Sequence, residues 1–566
     1  MNKKVIVMVI LGSLFLVSFT SLSALEIKTK GRNYTNLHES KISTSTHENT
    51  WYVDDDNTDG PWIGSKENPF QHITDAVENA SNGDTLFVYS GTYFEKIKLD
   101  KHLNLKGVDT GEGKPVVDGN KSGVIFRVIA DGCIIDGFEI RRAGYNFSVY
   151  GSNIYVSAKN TTIINNDIFG YSCYGVRLYY AHSSRIINNT IKRIGYMGIY
   201  NQFSDYVNIS YNYVDNPYGS GIMLDESFNN VVYKNIITAC DEGLLYYFGG
   251  GHKTIENCIS NNTEWGMIIY MNYYPNEVIK NTICFNKGRS LFLNTNYKKI
   301  LVKGNTIHSN YVDGIEVAVS NNVKIFDNNI YSNRGYGIKL LNSNELEIKG
   351  NNIENNTKCG VIKLTGNNVL IYNNNFINND KNAQDIGSGF CKWDDGTVVG
   401  GNYWSDYTGE DKNKDGIGDS PYYIRFPDRA DKYPFMNTYG WLNSPPNKPI
   451  ITGPTKGKVG EEHKYVFSAT DTNDDEVWYW IEWGDNTVEK WIGPYKSGEE
   501  VELSHVWSKT GNYVIKAKAK DISNVESDWA TLEISMPKNR FIKHPVFSRF
   551  LDEILLLLIQ SKITTF

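Results

Sequence analysis

Between residues 177 and 274 the chain places tyrosines and carboxylates at spacings that recur. Arg177, Tyr179, Tyr200, Asp225, Tyr247 and Tyr270 fall on one beat, with Tyr180, Tyr273 and Tyr274 beside them and Glu226, Asp241, Glu242 and Glu264 between them. Aromatic rings stack on the apolar faces of sugars and carboxylates accept hydroxyl protons, so this is the composition of a glycan-binding surface. Asp225 or Glu226 with Glu242 are the candidates for acid–base chemistry, because glycoside hydrolysis needs two carboxyls about 5 to 10 Å apart. Against this stands a plainer reading: tyrosine suits any exposed sheet, and loop acids are ordinarily solvated. A second constellation lies further on. Asp411, Asn413, Asp415, the Ile417 carbonyl and Asp419 occupy positions 1, 3, 5, 7 and 9 of a Ca²⁺ loop, with Gly416 at the sharp turn. Tyr422 replaces the closing glutamate at position 12, so Asp428 or Asp431 would have to complete the shell.

The elements that position these residues follow from a repeat. Asn recurs at 166, 189, 212, 235, 257, 281, 305, 328, 351 and 374, each with an apolar residue two positions later. Gly175, Gly198, Gly221, Gly243, Gly266, Ser290, Gly314 and Gly337 keep the same beat ahead of apolar-x-apolar triplets. Helical repeats are excluded, since the units lack a 3.6-residue stripe and are rich in Gly, Asn and β-branched residues. Leucine-rich repeats are excluded because Ile and Val dominate and the leucine frame is missing. A right-handed parallel β-helix of roughly 23-residue coils remains, each coil stacked about 4.8 Å from the last. Asn and Gly are then expected at corners that need left-handed backbone, with Asn side chains bonding from coil to coil.

Strand side chains alternate, so stacking produces outward ladders. The first reads Arg177, Tyr200, Met223, Leu245, Ile268, Phe292, Glu316, Lys339 and Lys363, with Ile362 and Leu364 aligned on Ile338 and Leu340. The second reads Tyr179, Gln202, Asp225, Tyr247, Tyr270, Asn294 and Ala318.

Net charge is −7 and no basic block stands out, which removes nucleic acid as a partner. Lys3-Lys4, an apolar run from Val5 to Val17 and Ser21-Leu22-Ser23-Ala24 read as a secretory signal over residues 1–24, followed by a polar spacer over 25–49. Seven cysteines make no even framework and are expected as small buried apolar residues. Nine glycosylation sequons lie in the exported part.

Taken in order, Trp51-Tyr52-Val53 reads as a strand and Asp54 to Gly60 as an acidic turn. A short helix capped by Asn68-Pro69, with Ile73, Ala76, Val77 and Ala80 on one stripe, is expected to lid the first coil. Gly83-Asp84-Thr85-Leu86, Gly91-Thr92-Tyr93 and Asp136-Gly137-Phe138 open the solenoid. Gly401-Asn402-Tyr403-Trp404-Ser405-Asp406-Tyr407, Pro421-Tyr422-Tyr423-Ile424 and Asp431-Lys432-Tyr433-Pro434-Phe435-Met436 close it. Over residues 50–440 these motifs resemble the NosD-like group of β-helices that carry the CASH (carbohydrate-binding and sugar hydrolase) repeat. The resemblance implies an exported, sugar-associated protein of pectate-lyase-like fold. The clustered Asp and Gly-His-Gly motifs of β-helix pectinases and the Asp-Pro-His-Asp signature of alginate epimerases are absent; Gly250-Gly251-His252-Lys253 matches the second only in part. The family is named for maturation of a copper enzyme, yet His182, His252 and His308 fall at different places in the repeat and no soft-ligand cluster joins them.

A linker over 441–452 leads to residues 453–536, whose alternating runs read as an Ig-like β-sandwich. Trp480-Ile481-Glu482-Trp483-Gly484-Asp485, His505-Val506-Trp507 and Gly511-Asn512-Tyr513 are similar to a PKD domain, which implies a cell-surface spacer. The tail over 537–566 carries an amphipathic apolar run too short to span a bilayer and is similar to tails of archaeal surface proteins. The expectation is an all-β, surface-located protein that presents a Tyr-rich glycan-binding face on a PKD spacer. A polysaccharide lyase or glycoside hydrolase on the same scaffold, or a purely structural or adhesive envelope protein, are the alternatives.

Overall fold

The computed structural model describes residues 49–145, 151–216, 218–295, 299–412, 416–442, 445–522, 526–537 and 552–556. The expected signal, the spacer up to residue 48, and the tail apart from residue 537 and a helical stretch over 552–556 lie outside them.

Strands of two to six residues alternate with corners, and each strand pairs in parallel with its counterpart one coil later. Sheet I has 15 strands, from Thr50–Val53 to Cys391–Lys392; sheet II has 13, from Ile97–Leu99 to Ala383–Asp385; sheet III has 14, from Thr92–Tyr93 to Tyr403–Trp404. Ile163 lies on Ile186, Ile209 and Val232 in turn, so the apolar member of each period-2 strand forms a continuous inward column. The three sheets close a parallel β-solenoid around one core of fully buried Ile, Val and Leu. From Ile163 to Ile371 the coils take 22 to 24 residues and the corners absorb the difference, whereas the coils from Leu86 to Ile163 vary from 19 (Leu86 to Leu105) to 30 (Leu105 to Ile135).

The recurring asparagines are buried inside that core wall. From Asn166 to Asn402 each Nδ2 donates to the Oδ1 of the next rung at 2.8 to 3.1 Å. That Oδ1 also accepts the preceding rung's backbone N–H, as Asn257 does from Asn235. The left-handed residue is the one before: Asn165, Asn188, Tyr211, Lys234, Glu256, Lys280 and Asp327 have φ between 51° and 59°. The expected corner role therefore belongs to a neighbour of mixed identity, and the ladder asparagines act through their amides. A second ladder, Asn262, Asn286, Asn310, Asn333, Asn356 and Asn379, was not anticipated. The recurring glycines correct the expectation in another way. They are not left-handed; a Cβ on Gly221 would sit 2.6 Å from the carbonyl oxygen of Gly243 in the next coil, so close stacking is what demands them.

The N-terminal lid is α1, Ile73–Asn79, with Ile73, Ala76 and Val77 buried. It starts later than Asn68-Pro69 suggests. His72 at its N-cap makes no capping bond with its side chain; the Glu95 carboxylate caps the helix from the solenoid, accepting the Ile73 and Thr74 N–H groups at 2.9 and 2.8 Å.

Lys363 is not part of the outward ladder. Sheet II pairs Lys339 with Ile362 and Leu340 with Lys363, which turns Lys363 into the core. There its ammonium meets the buried Asp385 carboxylate at 3.3 Å and the Ser388 carbonyl at 2.9 Å, and Arg429 reaches the other Asp385 oxygen at 3.1 Å. Arg429 belongs to the hairpin Tyr422–Arg425/Arg429–Asp431 that covers the last coil, so this ion cluster fastens the cap. Asp431 beside it is fully buried and accepts Trp404 Nε1–H at 2.8 Å and the Asn402 N–H at 2.7 Å; burial outweighs those donors and pushes its carboxyl up to about 7. All seven cysteines are free, and six are buried.

Residues 450–536 form two antiparallel sheets, one of three strands and one of four, around a separate core of Tyr465, Phe467, Tyr479, Trp483 and Trp507.

The amide ladder yields a test. Asn257→Ala orphans the Asn235 backbone N–H, leaves Asn235 Nδ2 with only the Ile209 carbonyl, and removes the donor that serves the Val232 and Ile255 carbonyls and Asn281 Oδ1. At about 1 to 3 kcal/mol for each buried group left unsatisfied, destabilisation of about 3 kcal/mol or more is expected in chemical denaturation. A loss under about 1 kcal/mol would mean the ladder is not what holds the coils.

Candidate functional site

The outward side of sheet II carries three columns. The middle one runs Tyr155, Arg177, Tyr200, Met223, Leu245, Ile268, Phe292, Glu316 and Lys339. On one flank stand Tyr179, Gln202, Asp225, Tyr247, Tyr270 and Asn294. On the other stand Tyr174, Met197 and Ser220, followed by Glu242, Trp265 and Arg289. Leu245 and Ile268 point away from the core yet are only 2% and 1% exposed, because the flanking side chains fold over them. The face is therefore a covered apolar column between two flanking columns of polar and aromatic residues, called the trough below.

At its upstream end Arg177 is 5% exposed and sits among the rings of Tyr155, Tyr174, Tyr179 and Tyr200, at 6.0, 5.1, 5.7 and 5.5 Å. Its Nη2 donates to Gln202 Oε1 at 3.2 Å, and Tyr200 and Gln202 donate to Asp225 Oδ2 at 2.8 and 3.4 Å. Burial raises the Asp225 carboxyl above its ordinary value despite those two donors, and it raises the Tyr200 hydroxyl too. Glu226 is raised by burial and then by the charge of Asp225. Downstream, Tyr247 and Tyr270 pack at 5.7 Å.

Asp225 and Glu242 stand on opposite walls. Glu242 accepts Ser220 Oγ–H at 2.6 Å, level with the first residue of the strand that ends in Asp225, so roughly 16 Å of strand separates their backbones. Their charges meet on two rings: both acids raise the hydroxyls of Tyr196 and Tyr247, after burial in each case. Tyr196 was not anticipated, nor were Tyr174 and Trp265 on the far wall, although Tyr174, Glu242 and Trp265 keep the common beat one position before the glycines. Tyr180 and Glu226 lie past the edge of the sheet at left-handed corners, in a column with Phe203, Phe248 and Met271. Tyr180 stacks on Phe203 at 5.1 Å, and Tyr273 and Tyr274 are exposed beyond that corner.

Two other concavities lie elsewhere. One of about 460 Å³ is lined by Asn321, Asn322, Asn344, Glu345, Asn367 and Asn368; another of about 410 Å³ lies between Asn329, Asn352, Tyr439 and Trp441. Both sit on corners or loops with no clustered ionisable groups, so the trough remains the better candidate site.

Of the Ca²⁺ loop, Asn413 and Asp415 lie outside the described residues. Asp411 accepts the Gly416 N–H at 2.9 Å, Asp419 accepts the Lys412 N–H at 2.8 Å, and Ile417 bridges Phe435. The closing carboxylates suggested above are engaged elsewhere: Asp428 pairs with Arg425 at 2.7 Å and Asp431 is buried against Trp404.

The fold and this surface define a parallel β-solenoid protein with an aromatic, acid-bearing face on sheet II. A family model described as NosD, periplasmic copper-binding protein, matches residues 77–268 and 251–409, more than half of the chain. The chain belongs to the NosD family. No curated protein matches it. Among solved structures, the PKD domain of an M14-like peptidase from a Thermoplasmatales archaeon is 59% identical, covering 17% of this chain and all of that one, with a TM-score of 0.17. Pectate lyase Pel9A is 16% identical over 47% of this chain and 78% of its own, TM-score 0.39. The periplasmic alginate epimerase AlgG is 15% identical over 49% and 82%, TM-score 0.35.

The residues in hand do not fit the copper of the family's description. His182, His252 and His308 lie in different coils and each Nδ1 is already engaged: with the Asp205 N–H at 3.1 Å, the Asn230 N–H at 3.3 Å and Ser309 Oγ at 3.1 Å. His252 is buried inside the solenoid, where desolvation holds it down at about 3. No group of three His, Cys, Asp or Glu among the described residues is arranged to hold a metal.

The Asp225 environment is testable. A carboxyl raised in the folded state keeps its proton at a pH where the unfolded chain has lost it, so its contribution to stability is full at low pH and disappears as pH rises through the folded value. Tyr200→Phe removes a donor that favours the carboxylate. The Asp225 titration, followed by carboxyl NMR, should move further up and that pH window should widen. An unchanged or lowered midpoint would contradict the assignment.

Proposed function

We propose that the trough on sheet II binds a polysaccharide laid along the solenoid and that the protein works at the cell envelope as a glycan-binding member of its family. The observation that carries this reading is the run of half-buried Tyr247, Tyr270, Trp265, Gln202 and Asp225 that flanks the covered Leu245 and Ile268 on one face of sheet II. Such a face accepts a long polymer, with rings for stacking and amide and carboxylate groups for hydroxyls. The envelope location is taken from the family's periplasmic description. The β-sandwich would stand the solenoid off the surface.

A second reading, an acid–base enzyme on the same trough, is favoured by Asp225, whose raised carboxyl suits proton donation, and by the two tyrosines that feel both acids. The separation of Asp225 and Glu242 argues against direct two-carboxylate hydrolysis and in favour of binding.

Glycan-array screening of the full chain followed by titration of the best polymer decides between them. Tyr247→Ala/Tyr270→Ala should weaken binding at least tenfold with an unchanged melting temperature, about 1.4 kcal/mol or more. Equal affinity would move the site off this face. Product release that disappears in Asp225→Asn/Glu242→Gln would favour the enzyme; binding without release favours the first reading.

We also propose that Asp411, Asn413, Asp415, the Ile417 carbonyl and Asp419 hold a structural Ca²⁺ that ties down the cap. Ca²⁺ at millimolar concentration should raise the melting temperature relative to EGTA by mass action, and Asp411→Ala/Asp415→Ala should abolish the difference. Coincident melts of the unmodified protein would refute the site.

A further inference from the structure

We infer that the outer face of the four-stranded sheet in the β-sandwich is a second binding surface, one for an acidic polysaccharide. This surface is independent of the trough. The strand Val477–Glu482 buries Val477, Tyr479 and Ile481 in the sandwich core and turns Trp478 and Trp480 outward. On the neighbouring strand Ile515, Ala517 and Ala519 face the core, which turns Lys516, Lys518 and Lys520 onto the same outer face, with Lys520 opposite Trp478 and Lys518 opposite Trp480. Trp491 from the strand Val488–Tyr495 and Trp529 join them. None of Trp480, Trp491 and Trp529 belongs to the core.

Two features set this face apart from ordinary sheet surface. Pairing between Val477–Glu482 and Val488–Tyr495 is irregular on either side of Tyr479, and Trp491 in that stretch has φ 51°, a left-handed conformation that a bulky residue adopts only under constraint. The bulge turns the indole onto the sheet, where its ring meets Trp480 edge-on at 5.6 Å. A strained tryptophan that contributes nothing to the core points to selection for a ligand. The second feature is the placement of cations. The Lys518 ammonium lies 5.0 Å from the ring of Trp529, 5.3 Å from Trp491 and 5.8 Å from Trp480, while Lys520 lies 4.8 Å from Trp491 and Lys490 5.5 Å from Trp480. One acid enters the patch, Glu526, which pairs with Lys518; Glu482 is in register with Lys516 and Glu489 with the inward Ile481.

Indole faces interleaved with ammonium groups match a pyranose polymer that carries carboxylates. Its ring faces would displace the ammonium groups from the indoles, and its anions would retain them alongside. A lipid surface is a poorer match, because the indoles stand among lysine ammonium groups on a sheet face and not on an apolar loop.

The test uses the full chain with polygalacturonate as probe, neutral amylose as control and phosphatidylglycerol vesicles as the lipid arm. Polygalacturonate should quench tryptophan fluorescence and bind in a salt-dependent manner, and amylose should bind at least fivefold more weakly. Trp529→Ala/Lys520→Ser should lower polygalacturonate affinity at least fivefold, and Lys490→Ser/Lys520→Ser, which leaves every indole in place, should lower it in the same direction. Tyr247→Ala/Tyr270→Ala in the trough should leave this salt-dependent component intact. Undiminished affinity in both sandwich variants, no binding by the unmodified chain, equal binding of amylose, loss of the component in the trough variant, or binding to vesicles but not to polygalacturonate would each overturn the inference.

Discussion

Everything in the solenoid depends on one coil's hydrogen-bonding groups meeting the same groups of the next. The backbone pairs in parallel through three sheets, and the asparagine amides repeat the arrangement in the side chains, each serving as donor and acceptor in a buried wall. A buried amide without partners is expensive, and a stack of them is satisfied only if every rung is present and in register. The ladder therefore acts as a register key: a strand slipped by one residue would break its rung and also turn the strand's apolar residues to solvent. Corners tolerate Tyr, Lys, Glu and Asp in left-handed backbone because the rungs on either side fix them there.

That register key also makes the trough. A residue type repeated at one place in the coil becomes a column, and three columns on one sheet become a floor with two walls. The floor can be apolar without collapsing into the core because the strand's alternation points it the other way. Burial of the floor then dominates the electrostatics of the walls. Asp225 receives two donors that favour its ionised form and is raised nonetheless, and Tyr196 and Tyr247 follow the same ordering, desolvation first and neighbouring carboxylates second.

The beat of Asn and Gly was legible because it repeats, and so were the outward columns from Arg177 to Lys339. Lys363 was misplaced because apolar residues were used to align its coil, and there the core holds a charge. The glycine step alone, from Gly337 to Gly360, puts Lys363 at the place of Leu340. The Glu95 cap on α1 spans 22 positions to Ile73 and leaves no local trace. The reason for the glycines was misread because sequence does not distinguish a residue needed for its φ from one needed for its lack of a Cβ. Tyr196 was missed because it precedes its strand, outside the alternating pattern. Nothing in the spacing of the acidic loop could reveal that Asp428 answers to Arg425 and Asp431 to Trp404.

The ends of the solenoid obey a different logic from its middle. Inner coils are satisfied on both sides by their neighbours, while a terminal coil has an exposed core and unpaired strand edges. At the N-terminal end an apolar helix face covers the core, fixed by the Glu95 carboxylate at its start and by the Lys101 ammonium, which donates to the Val77, Glu78 and Ala80 carbonyls at its end. At the C-terminal end the chain turns polar inside: Lys363 and Asp385 occupy stacked core positions and are closed by Arg429 from the covering hairpin. A buried ion cluster of this kind adds little net stability compared with apolar packing, but it is very sensitive to loss of one partner. Its effect is to make the cap's position specific, since an Asp385 carboxylate without Arg429, or a Lys363 without Asp385, would be an uncompensated buried charge. The last coil is thus coupled to a hairpin that no repeat specifies, which is how a structure built by repetition acquires a defined end.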